Sequence, residues 1–98
     1  METFIVLLDY TPQGVQEIQD SPARADAFAA RAQALGVSVK DIYWTFGDHD
    51  GVLVLTAPDD KAVSTLLLAL AQDGNVRTRT LKAYGKEEML QIVSGLVH

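Results

Sequence analysis

Cysteine is absent from this sequence. A chain without thiols forms no disulfide bond, supplies no thiolate to a metal ion and has no cysteine nucleophile. Disulfide-stapled domains and cysteine-dependent enzymes are therefore excluded. The composition suits a reducing compartment, and we expect a cytoplasmic protein.

Basic residues are scarce as well. Eight lysines and arginines stand against thirteen aspartates and glutamates, and the net charge is -5. Nucleic-acid binding depends on clustered basic side chains that displace counterions from phosphates, so we expect no nucleic-acid partner. The apolar run near the N-terminus, residues 4–8, is too short for a membrane span and lacks the basic flank of a signal peptide. No membrane partner is expected.

What the sequence does contain is apolar: 48% of its residues are hydrophobic and 21% are charged. This balance is typical of a globular protein, and we expect one domain over residues 1–98. A chain of this size buries only about 65% of its unfolded surface on folding. Its modest core makes a surface shared with a partner attractive.

The organising stretch is residues 43–57, in which an aromatic run, an acidic turn and an apolar run follow one another. It predicts a β-hairpin. The apolar run 52–56 and the first strand, 3–10, have hydrophobic residues at both parities, which is typical of strands covered on both faces. The charged strands 37–46 and 76–84 are expected at the sheet edges.

Strict alternation along strand 37–46 predicts two faces. Ile42, Trp44 and Phe46 are expected on one face. Val37, Val39 and Tyr43 are expected on the other.

Proline and glycine mark the helices. A short helical turn begins at Pro12, a helix opened by Pro22 ends at Gly36, and one opened by Pro58, Asp59 and Asp60 ends at Gly74. A last helix is expected over residues 86–97. The order βαββαβα predicts an α+β, ferredoxin-like sandwich with an antiparallel sheet of order 4-1-3-2 and a C-terminal helix.

Two helices cover one face of such a sheet, and the other face leaves about five large apolar side chains in water. Their exposure forgoes on the order of 8 to 15 kcal/mol, at about 1.5 to 3 kcal/mol each. This rivals the stability of a whole domain, about 5 to 15 kcal/mol. We therefore expect a homodimer packed sheet to sheet, with the last helix bracing the partner.

Several segments together resemble the GYD domain family: the opening strand, DSPARADAF, the G-D-H-D turn, the APDD helix start and GNVRTRTLKAY. The resemblance covers nearly the whole chain. It implies a dimeric α+β barrel of ferredoxin-like halves, in a family without an assigned activity. The name-giving motif falls on Gly47, His49 and Asp50, where histidine replaces tyrosine, so a role that rests on the phenol does not carry over.

Polar groups converge at one rim of the predicted sheet, because antiparallel neighbours bring the end of strand one, the acidic turn and the start of strand four together. The functional interpretation is a pocket mouth between two sheets, with aromatic walls, a histidine as proton acceptor and an arginine that fixes an anion. The candidate ligand-binding residues are Tyr10, Trp44, Asp48, His49, Asp50 and Arg77, and the candidate catalytic residues are His49, Asp9 and Tyr10.

Simpler interpretations stay open for each group. Asp48 and Asp50 fit ordinary turn chemistry, and a lone exposed histidine beside carboxylates is most often solvated. The basic residues of strand 76–84 more often protect a sheet edge than bind an anion. The turn offers consecutive ligands with no second histidine except His98, so no metal is expected, and no phosphate loop predicts a cofactor.

Two functions of different classes follow. The first is a homodimeric module that binds a small molecule, or serves regulation or assembly, through a cavity between its sheets. The alternative is a cofactor-independent oxygenase or isomerase that acts on a small aromatic or ketone substrate. Fold analogy alone supports the alternative, and the sequence does not decide whether the protein is an enzyme.

Overall fold

The computed structural model describes residues 1–96 of the chain. The described elements are β1 (Glu2–Tyr10), α1 (Pro12–Gln16), a 3-10 turn (Ile18–Asp20), α2 (Ser21–Ala34), β2 (Ser38–Trp44), β3 (Gly51–Ala57), α3 (Asp60–Gln72), β4 (Val76–Ala83) and α4 (Lys86–Ser94). The last helix therefore ends earlier than expected, at Ser94, and Val97 lies outside the described residues.

The four strands form one antiparallel sheet in the order β2-β3-β1-β4. This confirms the predicted ferredoxin-like α+β fold with order 4-1-3-2. The two doubly apolar strands lie in the middle, where both of their faces can be covered. The two charged strands lie at the edges, where lysine and arginine reach water.

The core lies between the sheet and the helices α2 and α3. Val6, Leu55 and Leu66 are completely buried there. The side chain of Asp59 caps α3 by accepting a hydrogen bond from the amide of Ala62 at 2.9 Å, which fixes where that helix starts. The other core residues are Phe4, Phe28, Ala32, Val37, Leu53, Ala57 and Val63.

The strict alternation of faces expected along β2 is wrong before Lys40, where the strand has an irregularity. The register with β3 shifts between Val39 and Asp41, which marks a bulge at Lys40. The extra residue at a bulge reverses the side to which the preceding side chains point. Val39 therefore lies on the helix-covered face together with Ile42, instead of on the opposite face. Phe46 lies beyond the end of β2 and is fully exposed.

The face of the sheet turned away from α2 and α3 is called the open face here. Ile5 lies at its centre, paired with Val54 on one side and Leu81 on the other. Leu7 pairs with Val52 in the next row. Leu81 remains 52% exposed, so this apolar surface meets solvent in a single chain.

Helix α4 projects from the end of β4 and makes only marginal contact with the rest of residues 1–96. None of the residues Lys86–Ser94 is buried. Its projection makes the molecule elongated, with extents of 54 × 31 × 19 Å. Four apolar side chains of this helix therefore face solvent: Met89, Leu90, Ile92 and Val93.

A separate observation concerns membranes. Among residues 1–96, the helices are too short and too polar for any of them to cross a bilayer.

Candidate functional site

The turn between β2 and β3 is tied to the end of β1 through Asp50. The amide of Asp50 donates to the carbonyl of Leu8 at 2.8 Å. The carbonyl of Asp50 accepts from the amide of Thr45 at 3.0 Å. Its carboxylate oxygen Oδ2 accepts from the amide of Tyr10 at 2.9 Å. Asp50 thus extends the pairing of β1 with β3 by one residue beyond Gly51. Its side-chain oxygen accepts the hydrogen bond from Tyr10 that a backbone carbonyl accepts within a sheet.

On the open-face side of this rim, His49 meets Asp9. The His49 Nδ1 atom lies 3.2 Å from Asp9 Oδ1 and 3.4 Å from Oδ2. The histidine side chain is 27% exposed and the aspartate side chain 35%. A carboxylate bonded to one ring nitrogen orients the imidazole and leaves Nε2, which has no partner within residues 1–96, to meet a ligand. This geometry suits proton transfer.

Arg77 stands beside this pair without joining it. It is paired with Asp9 across the β1–β4 register and is exposed, but among residues 1–96 no ion pair links the two side chains. Asp48 is also exposed and makes no side-chain hydrogen bond within the same residues. In this part of the chain no three potential metal ligands come together, and His98 lies outside it.

Tyr10 and Trp44 lie on the opposite side of the sheet. Tyr10 shares the parity of Leu8, and Trp44 is paired with Gly51 on the helix-covered face. The expectation that these two aromatic residues wall a pocket between two sheets is therefore wrong. Successive side chains of β1 point to opposite faces, so Asp9 lies on the open face and Tyr10 lies on the helix-covered face.

Tyr10, Trp44 and Asp50 line a cavity of about 120 Å³ between α2 and the sheet, called the inner cavity here. The indole Nε1 of Trp44 donates to Ser21 Oγ at 2.9 Å, which ties β2 to the first residue of α2. Two further residues of the lining, Arg24 and Phe28, were missed from the sequence. Asn75, at the start of strand four, was expected at this rim but not as a ligand-binding residue.

Of the six predicted ligand-binding residues, the structure brings together two separate groups. His49 joins Asp9 on the open-face rim, with Arg77 nearby in the register. Tyr10, Trp44 and Asp50 form the second group, in the inner cavity. Asp48 belongs to neither.

Comparison with known proteins gives a family and a fold. The model of the GYD domain matches residues 4–93. A relative from Thermus thermophilus, named "Glutamine synthetase and cystathionine beta-lyase binding protein", is 36% identical over 84 residues, which are 85% of this chain and 88% of the relative.

Two solved structures resemble this one. The crystal structure of TTHA0845 from Thermus thermophilus has a TM-score of 0.56 at 24% identity and covers 87% of this chain and 95% of its own. A feast or famine regulatory protein from M. tuberculosis, complexed with L-methionine, has a TM-score of 0.57 at 21% identity, with 88% of this chain and 52% of that chain covered. At these identities both likenesses concern the fold alone.

The role of Asp50 is testable by substitution. Asp50→Ala leaves the amide of Tyr10 without its acceptor, and we expect it to lower the free energy of unfolding by about 1 to 3 kcal/mol. Asp50→Asn keeps an acceptor and should cost less. Urea denaturation at one fixed protein concentration measures the difference.

Asp48→Ala is the matched control, since it removes an exposed aspartate two positions earlier in the same turn. Its effect should stay within about 0.5 kcal/mol. Equal losses for Asp48→Ala and Asp50→Ala would contradict the assigned hydrogen bond.

Proposed function

Because this chain belongs to the GYD domain family, we propose that it is a homodimeric regulatory or assembly module that binds other proteins, with a cavity between its two sheets. The observation that carries the proposal is the open face, an apolar surface that the protein's own helices leave uncovered. A second copy is the occupant that fits it.

The open face has the composition of an interface. Its centre is apolar, with Ile5, Leu7 and Val54 in adjacent positions of the sheet. Its rim is polar, with the His49–Asp9 pair at one end. An apolar centre inside a polar rim is the usual arrangement of a protein–protein contact. Two such faces packed together remove the central side chains from water and leave a polar mouth at the rim.

Helix α4 supports the same assembly. Its apolar side chains are exposed, and it extends away from its own sheet. A helix this short is marginal in water without tertiary packing. In a dimer, α4 of one protomer can lie against the partner and bury its apolar side.

The relative from Thermus thermophilus supports the binding role. That protein is named for binding two enzymes, and the match extends over most of both chains. A small domain with an apolar face and a projecting apolar helix is suited to act through its surface. We therefore place partner enzymes, rather than a reaction of its own, at the centre of the proposed function.

Dimerisation is tested at the centre of the open face. The wild-type protein should be a dimer at micromolar concentration, whereas Ile5→Glu should be a monomer. Burying an unpaired carboxylate in each protomer costs several kcal/mol, and about 3 kcal/mol already weakens dimerisation about a hundredfold. Sedimentation velocity over a concentration series measures both.

Leu68→Glu is the matched control. Leu68 is exposed on the outer side of α3, away from the open face, so the same new charge should leave the dimer intact. A monomeric wild-type protein, or equal weakening by Leu68→Glu and Ile5→Glu, would contradict the proposal.

One observation favours a second function. The contact between His49 and Asp9 has the geometry of a general base held by a carboxylate. In a dimer this pair would border the mouth of the cavity between the sheets. This arrangement supports a cofactor-independent oxygenase or isomerase for a small aromatic or ketone substrate.

His49→Gln separates the two functions. A binding module should bind purified glutamine synthetase or cystathionine β-lyase about equally well as wild type and as His49→Gln, because the apolar centre of the open face, and not this ring at its rim, carries the proposed dimer. Biolayer interferometry measures this affinity. An enzyme should instead lose turnover of a screened aromatic or ketone substrate. Turnover that the wild type shows and His49→Gln lacks would replace the first function with the second. A wild-type protein that binds neither enzyme would contradict the first function.

A further inference from the structure

We propose that the inner cavity is a binding site for a small carboxylate with an apolar or aromatic body. This site lies on the helix-covered side of the sheet, away from the open face, and is independent of dimerisation.

Small residues line the cavity on both the sheet side and the helix side. In the register, Gly51 lies between Leu8 of β1 and Trp44 of β2 on the helix-covered face. The Leu8 side chain packs over Gly51, since a Cβ there would lie 3.1 Å from Leu8 Cδ1, and both residues line the cavity. On the helix side, the small Ala25 of α2 lines the same space.

The size and walls of the cavity suit a single ring or a branched chain. Its volume of about 120 Å³ is of the order of the engineered apolar cavity, ~150 Å³, that accommodates benzene. Phe28, Ile42 and Leu53 supply apolar surface to the lining, and the Trp44 indole supplies an aromatic face. An apolar ligand body can therefore pack against these walls.

The polar groups that lack partners at this site are donors. Asn75 is only 8% exposed and lines the cavity. Its Oδ1 accepts from Gln13 Nε2 at 3.1 Å, whereas its Nδ2 makes no hydrogen bond within residues 1–96. Arg24 also lines the cavity. Its Nη1 donates to the carbonyl of Glu17 at 2.8 Å, but its Nη2 is buried without a partner in the same part of the chain.

Both donors are anchored by the segment between β1 and α2. Arg24 Nη1 reaches back to the carbonyl of Glu17, which precedes α2. Asn75 Oδ1 accepts from Gln13 of α1. Trp44 and Ile42 come from the opposite edge strand, β2. A ligand can thus place its apolar body toward β2 and its acceptor toward α2 and β4.

The charges favour an anionic acceptor over a cationic group. Both aspartates of the lining have donors of their own: Asp50 accepts from Tyr10, and Asp73 pairs with Arg31. Within residues 1–96, Arg24 has no carboxylate partner. A buried donor without a partner is costly, and a carboxylate that accepts from Arg24 Nη2 removes this cost. Asn75 Nδ2 offers the same ligand a second donor.

The inner cavity adjoins a second, larger pocket of about 400 Å³, the outer groove, with which it shares Tyr10, Ser21, Trp44 and Asp50. Trp44 and Ser21, joined by a hydrogen bond, border both spaces. The Trp44 indole can therefore report on a ligand at this site.

The test is titration of the full-length protein with benzoate, followed by nitrogen-15 correlation NMR. The chain has one tryptophan, so its indole N–H signal is unambiguous. Benzoate should shift this signal and the side-chain amide signals of Asn75 in a saturable way. Benzylamine, of similar size and opposite charge, should bind at least tenfold more weakly.

Three variants locate the site. Ala25→Leu fills the cavity, and Asn75→Asp turns the free donor into a charged acceptor while keeping its shape. Each should weaken benzoate binding at least tenfold. Ala30→Leu makes the same change as Ala25→Leu on an exposed part of α2 and should leave the affinity unchanged. If Asn75→Asp does not fold, Arg24→Met tests the same donor side.

The outcomes also separate this site from the dimer. Ile5→Glu should leave benzoate affinity unchanged whether or not it dissociates the protein. No saturable shift up to millimolar benzoate would overturn the proposal, as would binding that Ala25→Leu does not weaken. Benzylamine binding as tightly as benzoate would overturn the ligand class.

Discussion

The pairing of β1 with β3 is the constraint on which the rest of this structure depends. Both strands carry apolar residues on both faces, and their register sends Val6 and Leu55 under the helices and Ile5 and Val54 to the open face. A slip by one residue would exchange the two sets. The same register also puts Gly51 next to Leu8 on the helix-covered face, so one pairing sets both the uncovered apolar surface and part of the lining of the inner cavity.

This alternation divides neighbouring residues between two surfaces. Asp9 and Tyr10 are adjacent in the chain, yet Asp9 meets His49 at the open-face rim, while Tyr10 lines the inner cavity. Asp50 holds the turn by which both groups are positioned.

Most of the fold could be predicted from sequence, because its signals are local. Doubly apolar runs identify central strands, and Pro22, Asp59 and Gly74 mark helix ends. The bulge at Lys40 could not be predicted, since it depends on how β2 meets β3. For the candidate site, the residue types at the rim were predictable, and alternation alone would have separated Tyr10 from Asp9. Arg24 was not, because its place in the lining depends on how α2 packs over the sheet and on its contact with the carbonyl of Glu17.

The most direct test of the central claim, that a second copy covers the open face, is an isotope-filtered nuclear Overhauser experiment on a mixture of labelled and unlabelled protein. Contacts between subunits should join methyl groups of the open face, such as those of Ile5 and Leu7, to open-face methyl groups of the partner. The absence of such contacts for these methyl groups, or contacts confined to the outer sides of α2 and α3, would contradict the account.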